Sequence, residues 1–166
     1  MEIAIISDTH MPKGWRRLPE RCLDRLRAAD LIVHAGDLST LEVLQELQSY
    51  GRVVAVHGNV DDAAVRAALP ETAVVEAGGA RMALIHDAGA SRGRLERLRR
   101  RFAGSGAGAE AVVFGHSHIP LHEQAADGFQ IFNPGSPTER RRAPRHTMGI
   151  CRAAGGRLTF ELVDLD

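Results

Sequence analysis

Residues 2–10 read Glu-Ile-Ala-Ile-Ile-Ser-Asp-Thr-His, an apolar run followed at once by polar residues. The apolar part, Glu2–Ile6, is too short and too rich in β-branched residues for a helix, so it predicts a buried strand. Asp8 and His10 come directly after that strand. The same order, a buried strand and then a polar residue, recurs along the chain, and it guides the prediction of both the fold class and the candidate site.

Strand-length apolar runs alternate with helical patterns, with Gly, Pro, Asn or Asp at the joins. Pro19 stands where a helix begins, and Ser39 followed by Glu42 has the spacing of a capping box. Helices are predicted from Pro19 to about Leu26, behind Ser39 along Leu41, Leu44 and Leu47, over Val65–Leu69 and over Arg92–Phe102. The further predicted strands are Leu31–His34, Val53–Val56, Ala73–Glu76, Arg81–Ile85, Ala111–Phe114, Leu121–Gln124, Phe129–Phe132, Thr147–Arg152 and Leu158–Val163.

The order of these elements predicts one mixed α/β domain over residues 1–166. The first half alternates strand, helix, strand, helix and strand, which implies parallel pairing with right-handed crossovers. In the second half, the two strands before residue 86 have the pattern of a hairpin. A glycine-rich stretch, 104–108, then leads to further short strands joined by turns. We therefore expect the second half to be largely antiparallel.

Composition narrows the classes of partner and compartment. The 166 residues carry 21 Lys plus Arg and 21 Asp plus Glu, so the formal charge is zero. A neutral chain lacks the basic surface of a nucleic-acid-binding module, so we expect a nucleic acid only as a substrate. Two cysteines cannot build a disulfide framework and are typical of a reducing compartment. The first residues lack the basic and cleavage-site pattern of a signal peptide, so we expect none, and no apolar run approaches about 20 residues. We expect a cytoplasmic protein with no membrane partner; its oligomeric state is not predicted.

Polar residues with the chemistry of metal ligands follow five of the predicted strands. In α/β sheets the crevice beyond the carboxyl ends of the strands is where ligands bind, so we expect these residues to share one rim. Two pairs among them are spaced two residues apart, and in extended backbone such pairs point to the same face. The residues are Asp8, His10, Asp37, Asn59, His86, His116 and His118.

This set contains more donors than a single ion uses. Two carboxylates, four imidazoles and one amide exceed the needs of a tetrahedral site. They suit a pair of ions such as manganese, iron or zinc, with a bridging carboxylate. Gly36 and Gly58 precede Asp37 and Asn59, where a residue without Cβ permits a sharp turn and close approach of the backbone.

These motifs, taken in order, resemble those of the calcineurin-like metallophosphoesterase superfamily. The early Asn133-Pro134-Gly135-Ser136 segment and the short length are most similar to its small phosphodiesterase branch, which also contains a retromer subunit. The resemblance implies two mixed β-sheets packed as a sandwich and flanked by helices, a four-layer αββα architecture. The matching motifs are Asp8-Thr9-His10, Gly36-Asp37, Gly58-Asn59, His86 and Gly115-His116-Ser117-His118.

The resemblance also implies roles for the seven residues. A first ion would be held by Asp8, His10 and His118, and Asp37 would bridge to a second ion. Asn59, His86 and His116 would complete the second site. A hydroxide held between the ions would attack phosphorus, while Asn59 and His118 would orient the phosphate. The implied cofactors are two divalent ions. We expect Mn²⁺ first, with Fe, Zn, Ni or Co as the other ions that this donor set accepts.

The expected reaction is hydrolysis of a small phosphodiester, with Arg140 and Arg141 as candidate substrate-binding residues. Three positions depart from the superfamily pattern: Val60 replaces a histidine that protonates the leaving group, Thr40 replaces an aspartate, and Asp87 replaces a glycine. The source of the leaving-group proton is therefore open.

Two other functions remain open from the sequence. One is a protein-interaction scaffold with a vestigial metal site, like the retromer subunit; the other is a phosphomonoesterase. A scaffold is expected to lose a ligand, and here the set is complete. Val60 argues against the monoesterase, because a missing general acid costs about two to four orders of magnitude with a poor leaving group.

Overall fold

The computed structural model describes residues 1–104 and 107–166, which form ten strands, four α-helices and a short 3₁₀ turn at Lys13–Trp15. The predicted glycine-rich stretch 104–108 falls partly outside the described residues. The helices are α1 (Glu20–Ala28), α2 (Leu41–Tyr50), α3 (Ala63–Ala68) and α4 (Arg94–Phe102). The strands are β1 (Glu2–Ile6), β2 (Leu31–His34), β3 (Val53–Ala55), β4 (Thr72–Ala77), β5 (Ala80–Ile85), β6 (Ala111–Val113), β7 (Leu121–Gln124), β8 (Gln130–Asn133), β9 (Thr147–Ala154) and β10 (Arg157–Asp164).

The strands form two five-stranded sheets, in the orders β10-β9-β1-β2-β3 and β4-β5-β6-β8-β7. In the first sheet β1, β2 and β3 are parallel, and β9 joins β1 antiparallel. The expectation of two mixed sheets is confirmed. The expectation of a largely antiparallel second half is confirmed for β4-β5, β7-β8, β9-β10 and β9-β1. The centre of the second sheet differs, because β5, β6 and β8 are parallel to one another. Helix α4 carries the chain back from β5 to β6, and β7 takes the sheet edge while β8 returns beside β6.

Three apolar layers hold the sheets and helices together. Between the sheets, side chains such as Ile5 and Val33 pack with Leu84 and Phe132. The outer face of the first sheet is covered by α1 and α2, and the outer face of the second by α4. Both faces of each sheet are thus buried, which explains why the central strands are apolar throughout rather than alternating. The result is the expected four-layer arrangement, helix, sheet, sheet and helix.

The predicted capping box does not form. Thr40, not Ser39, is the N-cap of α2, and neither Thr40 nor Glu42 closes a side-chain cap. Ser39 has φ of 101°, and its backbone N–H donates to the Asp61 carboxylate at 2.7 Å. The backbone group that a capping box would use is therefore held by a residue 22 positions further along the chain. In contrast, Asp62 caps α3 by accepting from Val65 N at 2.8 Å.

The loops at the carboxyl ends of the central strands are joined by backbone hydrogen bonds. Asp8 N donates to Gly36 O at 2.9 Å, and His10 N donates to Asp37 O at 3.1 Å. On the second sheet, Gly115 N donates to His86 O at 3.0 Å. One rim of the sandwich therefore collects the loops after β1, β2, β5 and β6. None of the helices in residues 1–104 and 107–166 is long and apolar enough to cross a membrane.

Close approach of the two sheets depends on Gly149 in β9. A Cβ added there would lie 2.8 Å from Cζ of Phe132 and 3.4 Å from Cβ of Ile5. Phe132 cannot easily move away, because it is buried and stacked on Phe160 with ring centroids 4.8 Å apart.

We expect Gly149→Ala to destabilise the fold by about 1–3 kcal/mol, the usual cost of overpacking a core. For a chain of this size that corresponds to a fall in Tm of roughly 2–12 °C, measurable by thermal denaturation followed by circular dichroism. Gly104→Ala is the matched control, since its added methyl group meets no atom of the described residues within 4 Å. An unchanged Tm for Gly149→Ala would show that the sheets can separate at this point without cost.

Candidate metal centre

Six of the seven predicted ligands form two clusters at the rim of the sandwich where the loops after β1, β2, β5 and β6 meet. Site 1 is Asp8, His10 and His118; site 2 is Asp37, His86 and His116. Within each cluster, one potential ligand atom from every residue lies within 4.8 Å of the others. Five of these six residues are buried, and the sixth, His116, is exposed. The fold thus gathers residues that are more than 100 positions apart in the sequence.

One carboxylate oxygen faces both sites. Asp37 Oδ2 lies 3.1 Å from Nε2 of His86 and 3.6 Å from Nε2 of His10. The other oxygen, Oδ1, accepts a hydrogen bond from Val60 N at 3.0 Å, which fixes the orientation of the carboxylate. Asp37 therefore occupies the position between the clusters that a bridging carboxylate requires.

Asn59, the seventh predicted residue, adjoins site 2. Its Oδ1 lies 3.1 Å from Nε2 of His86 and 2.9 Å from Nδ1 of His116. Across the rim, Nε2 of His118 is 3.3 Å from Asp8 Oδ1 and 3.2 Å from Nε2 of His10. The structure thus brings all seven residues together.

Backbone carbonyls set which ring nitrogen faces the centre. His86 donates its Nδ1–H to Ala35 O at 2.8 Å, and His118 donates its Nδ1–H to Glu139 O at 2.5 Å. Nε2 of each ring is then directed at the cluster. This second contact is typical of metal-binding histidines, because it selects the tautomer and orients the ring.

The space between the side chains is lined by lone pairs. Around Nε2 of His86, the neighbours are two oxygens, from Asp37 and Asn59, each at 3.1 Å. Two acceptors facing a ring nitrogen need either a proton or a cation between them. A donor set of ionised carboxylate, neutral imidazole and amide oxygen, all aimed at one space, fits divalent metal ions.

The pKa shifts agree with this donor chemistry. Burial lowers the pKa of His118 to about 4 and also lowers that of His10, so both imidazoles are neutral near pH 7. Burial alone would raise the pKa of Asp37, but the hydrogen bond and charge of His86, with the Val60 N–H and the charge of His10, together lower the pKa to about 2. Burial would lower the pKa of His86, but the hydrogen bond to Asp37 and the charges of Asp8 and Asp37 together raise it. Burial raises the pKa of Asp8 to about 7, the signature of a carboxylate that a nearby cation would stabilise.

The ligand pairs converge for a reason other than the predicted one. They lie past the ends of β1 and β6 and are not in extended backbone: φ is 55° at Asp8, 46° at His10, 69° at His116 and 60° at His118. The left-handed conformation costs roughly 1–2 kcal/mol for each residue with a Cβ. Strand alternation therefore does not aim these side chains; a strained turn after each strand does.

Glycines allow the ligand loops to approach closely, as predicted. A Cβ at Gly36, where φ is 92°, would lie 2.6 Å from Nδ1 of His86. At Gly58 it would lie 2.5 Å from the backbone N of Asp37. Gly115, which the spacing argument did not single out, packs in the same way, 2.7 Å from Asp8 Oδ2. Each of these contacts excludes a larger residue next to a candidate ligand.

A buried carboxylate that sequence reasoning missed, Asp61, supports site 2. It accepts three backbone hydrogen bonds: from Gly58 N at 2.6 Å, Ser39 N at 2.7 Å and Asp37 N at 3.1 Å. Asp61 therefore ties the loop after β2 to the loop after β3. In the sequence, the only sign of this role is that Asp61 lies two residues beyond Asn59. The motif alone does not show which backbone groups Asp61 binds.

Fully buried His34 makes the corresponding link between the loops after β1 and β2. Gly36 N donates to Nδ1 of His34 at 3.2 Å, which leaves Nε2 as the donor to Thr9 Oγ1 at 3.1 Å. Burial lowers the pKa of His34 to about 3, so the ring is neutral. The His34 imidazole thus holds both Thr9, which lies between Asp8 and His10, and Gly36, which precedes Asp37.

The segment after β8 packs under site 1. Ser136 Oγ donates to Asp8 O at 2.8 Å, and Thr138 Oγ1 donates to Thr9 O at 2.6 Å. This segment also brings in Glu139, which the motifs did not predict. Its Oε2 lies 4.0 Å from Nε2 of His10, while Oε1 is paired with Arg16 at 3.1 Å.

The two candidate substrate-binding arginines are placed differently. Arg141 directs Nη1 toward His116 O, at 3.4 Å, and so lies at the rim of the centre. Arg140 donates to Ala143 O at 2.9 Å, within its own loop. Asp87, one of the departures, also bonds its own loop, through Gly89 N at 2.7 Å. Of these three charged residues, the geometry brings Arg141 to the centre.

A sequence model of the calcineurin-like phosphoesterase superfamily domain matches residues 1–156. The chain belongs to this superfamily. A protein of Methanothermobacter thermautotrophicus named a "probable metallophosphoesterase" is 35% identical over 163 residues, covering 98% of this chain and 92% of that protein. One of the same description from Methanocaldococcus jannaschii is 36% identical over 142 residues, covering 85% of this chain and 70% of that one. The family and these relatives mark the chain as a phosphoester hydrolase with a metal-binding site.

Solved structures share the fold over the whole chain. Vps29 of Entamoeba histolytica, solved in complex with Zn²⁺, has a TM-score of 0.75 at 22% identity, with 100% of both chains covered. A protein of Thermotoga maritima solved by NMR has a TM-score of 0.75 at 28% identity, with 99% of both chains covered. These likenesses confirm the fold that the resemblance implied.

The hydrogen bonds of Asp61 generate a prediction about metal binding. We expect Asp61→Asn to weaken the binding of Mn²⁺ by about 10–100-fold, the usual effect of removing an outer contact to a metal ligand. The amide would turn a donor toward backbone N–H groups that need an acceptor. Equilibrium dialysis against limiting Mn²⁺, followed by elemental analysis, measures the change.

Asp62→Asn is the matched control, because the neighbouring side chain caps α3 and touches neither site. Asn is as good an N-cap as Asp, so its metal content and stability should match those of the native protein. Equal metal affinities in the two variants would contradict the role given to Asp61.

Proposed function

We propose that the protein is a phosphodiesterase that uses two divalent metal ions, bound at sites 1 and 2 and bridged by Asp37. The observation that carries the proposal is the position of Asp37 Oδ2, 3.1 Å from a ring nitrogen of site 2 and 3.6 Å from one of site 1. A carboxylate shared in this way suits two ions a short distance apart better than one ion in either cluster.

In this proposal Asp8, His10 and His118 hold one ion, and His86, His116 and Asn59 hold the other. When bound, such a pair supplies a water activated for attack on phosphorus and positive charge for the phosphoryl oxygens. We expect Mn²⁺ as the first candidate. A mixed nitrogen and oxygen set also accepts other divalent ions, and availability decides among them.

The chain's own residues would bind and orient the phosphoryl group. Arg141 has a guanidinium near the His116 carbonyl, within reach of an oxygen at the rim. Its planar fork suits a phosphoryl group, since two N–H donors can meet two oxygens. Asn59 and His118 are the candidates for orienting the phosphate from either side of the centre.

Position 60 supports the choice of a diester, because the small phosphodiesterase branch that the motifs resemble also lacks a histidine there. Val60 has no proton to give to a leaving oxygen, and a missing general acid costs about two to four orders of magnitude when the leaving group is poor. A diester with a weakly basic leaving group loses least.

The two cysteines, both free and buried, fit the reducing cytoplasm that we propose as the compartment of this protein.

The proposal is tested with chelator-treated protein reloaded with Mn²⁺. We expect turnover of bis(p-nitrophenyl) phosphate to require the metal and to exceed turnover of p-nitrophenyl phosphate. Asp37→Asn should lower kcat/KM for the diester at least about 100-fold, because it removes the shared charge between the sites. Asp24→Asn is the control, since that carboxylate is exposed on α1, and it should leave kcat/KM unchanged.

The same assay separates the other candidate functions. Faster turnover of the monoester than of the diester would indicate a phosphomonoesterase. A protein-interaction scaffold draws support from the fold that the chain shares with Vps29 structures at 22% identity. Protein that retains no Mn²⁺, or retains it without turnover of either ester, would favour the scaffold and sink the hydrolase.

A further inference from the structure

A cleft of about 540 Å³ adjoins the metal centre. His10 of site 1 lines it, and so does Val60, whose backbone N donates to the shared carboxylate Asp37 at 3.0 Å. The cleft therefore opens onto the region between the two sites. Its volume lies within the range of about 300–1,000 Å³ that holds organic ligands, and it exceeds what a bare phosphate needs.

The walls of the cleft combine apolar and hydroxyl-bearing side chains. Met11, Pro12 and Val60 supply the apolar surface, and Ser39 and Thr40 supply hydroxyls. Val60 is 47% exposed, so it stands at the mouth of the cleft rather than in the core. A surface of this kind receives an uncharged organic group by removing it from water.

The charged side chains of the cleft favour an anion attached to that group. Lys13 and Arg141 are the cationic members of the wall. The carboxylate in the wall, Glu139, is paired with Arg16 at 3.1 Å, so its charge is largely offset. An anionic phosphoryl group is thus attracted to the end of the cleft at the centre, while the apolar wall faces whatever is esterified to it.

We infer that this cleft holds one ester group of the substrate, an uncharged aromatic group or one of similar size, while the phosphoryl group lies at the metal centre. Val60 is then a specificity-determining residue, because its small side chain keeps the mouth of the cleft open. The inference rests on the proposed phosphodiesterase function and names the substrate class: diesters that carry at least one bulky, uncharged ester group.

Binding of two phosphonates tests the inference without turnover. Phenylphosphonate and methylphosphonate share a head group and a P–C bond that is not hydrolysed as an ester, and they differ only in the organic group. With Mn²⁺-loaded native protein, calorimetry should give a Kd for phenylphosphonate roughly tenfold or more below that for methylphosphonate, the usual gain from an apolar group in a matching pocket. Val60→Trp should bring the ratio of the two Kd values to about one, because the indole fills the space that the phenyl group would occupy.

Val74→Trp is the matched control, since Val74 in β4 is similarly exposed, at 45%, and lies outside the cleft. Its two Kd values should equal those of the native protein. Thr40→Phe fills the cleft from a second wall residue and repeats the test if Val60→Trp does not fold. Thr40 makes no side-chain cap to α2, so that replacement removes no cap hydrogen bond.

The outcomes separate the cleft from the proposed function. Equal Kd values for the two phosphonates in native protein would overturn the cleft, and so would a phenyl preference that survives both filling variants. Either result leaves the phosphodiesterase proposal intact, because both ligands still bind at the centre. Failure of both phosphonates to bind Mn²⁺-loaded protein would instead refute the proposed function, and the inference with it.

Discussion

The site depends on one electrostatic constraint: carboxylate, amide and imidazole lone pairs are held facing one another in a mostly buried space. Asp37 is the centre of that arrangement, because one of its oxygens faces ring nitrogens of both clusters. Side chains with this much negative potential repel one another unless a proton or a cation lies between them. Two pKa shifts express that constraint. Burial raises the pKa of Asp8 to about 7, and the neighbouring carboxylates of Asp37 and Asp8 together raise the pKa of His86 against the effect of burial. A pair of divalent ions would satisfy the whole set at once.

Such an arrangement persists only if the backbone is held firmly. Among the described residues, eight other than glycine have positive φ, and five of these are candidate ligands. The supporting bonds run from loop to loop: His34 joins the loops after β1 and β2, Asp61 joins those after β2 and β3, and Ser136 holds Asp8 from below. Because each support is buried and bonded to backbone atoms, it fixes the position of a ligand without competing with it for a cation.

Sequence reasoning identified the strands and the seven clustered residues because those depend on local pattern: apolar runs of strand length, and polar residues where the runs end. Sequence reasoning failed where a contact between residues far apart in the chain determines the local structure. The capping box at Ser39 does not form, because Asp61, 22 residues away, accepts the backbone N–H that the box would use. The parallel pairing of β5, β6 and β8 follows from the crossover through α4, and no local pattern distinguishes it from a hairpin array. Glu139 approaches His10 only because the segment after β8 folds under site 1.

Ligand residues and recognition residues are therefore separable in this chain. The seven clustered positions carry the superfamily pattern, and they set what chemistry the centre supports. Two of the three departures, Thr40 and Val60, lie instead in the wall of the adjoining cleft, where neither side chain belongs to site 1 or site 2. Changes at those positions would alter the shape and polarity of the cleft beside the two sites while the donor set stays the same. Membership of the superfamily thus indicates the reaction class, whereas in our proposal the substrate is selected by cleft residues that lie outside the seven-residue set.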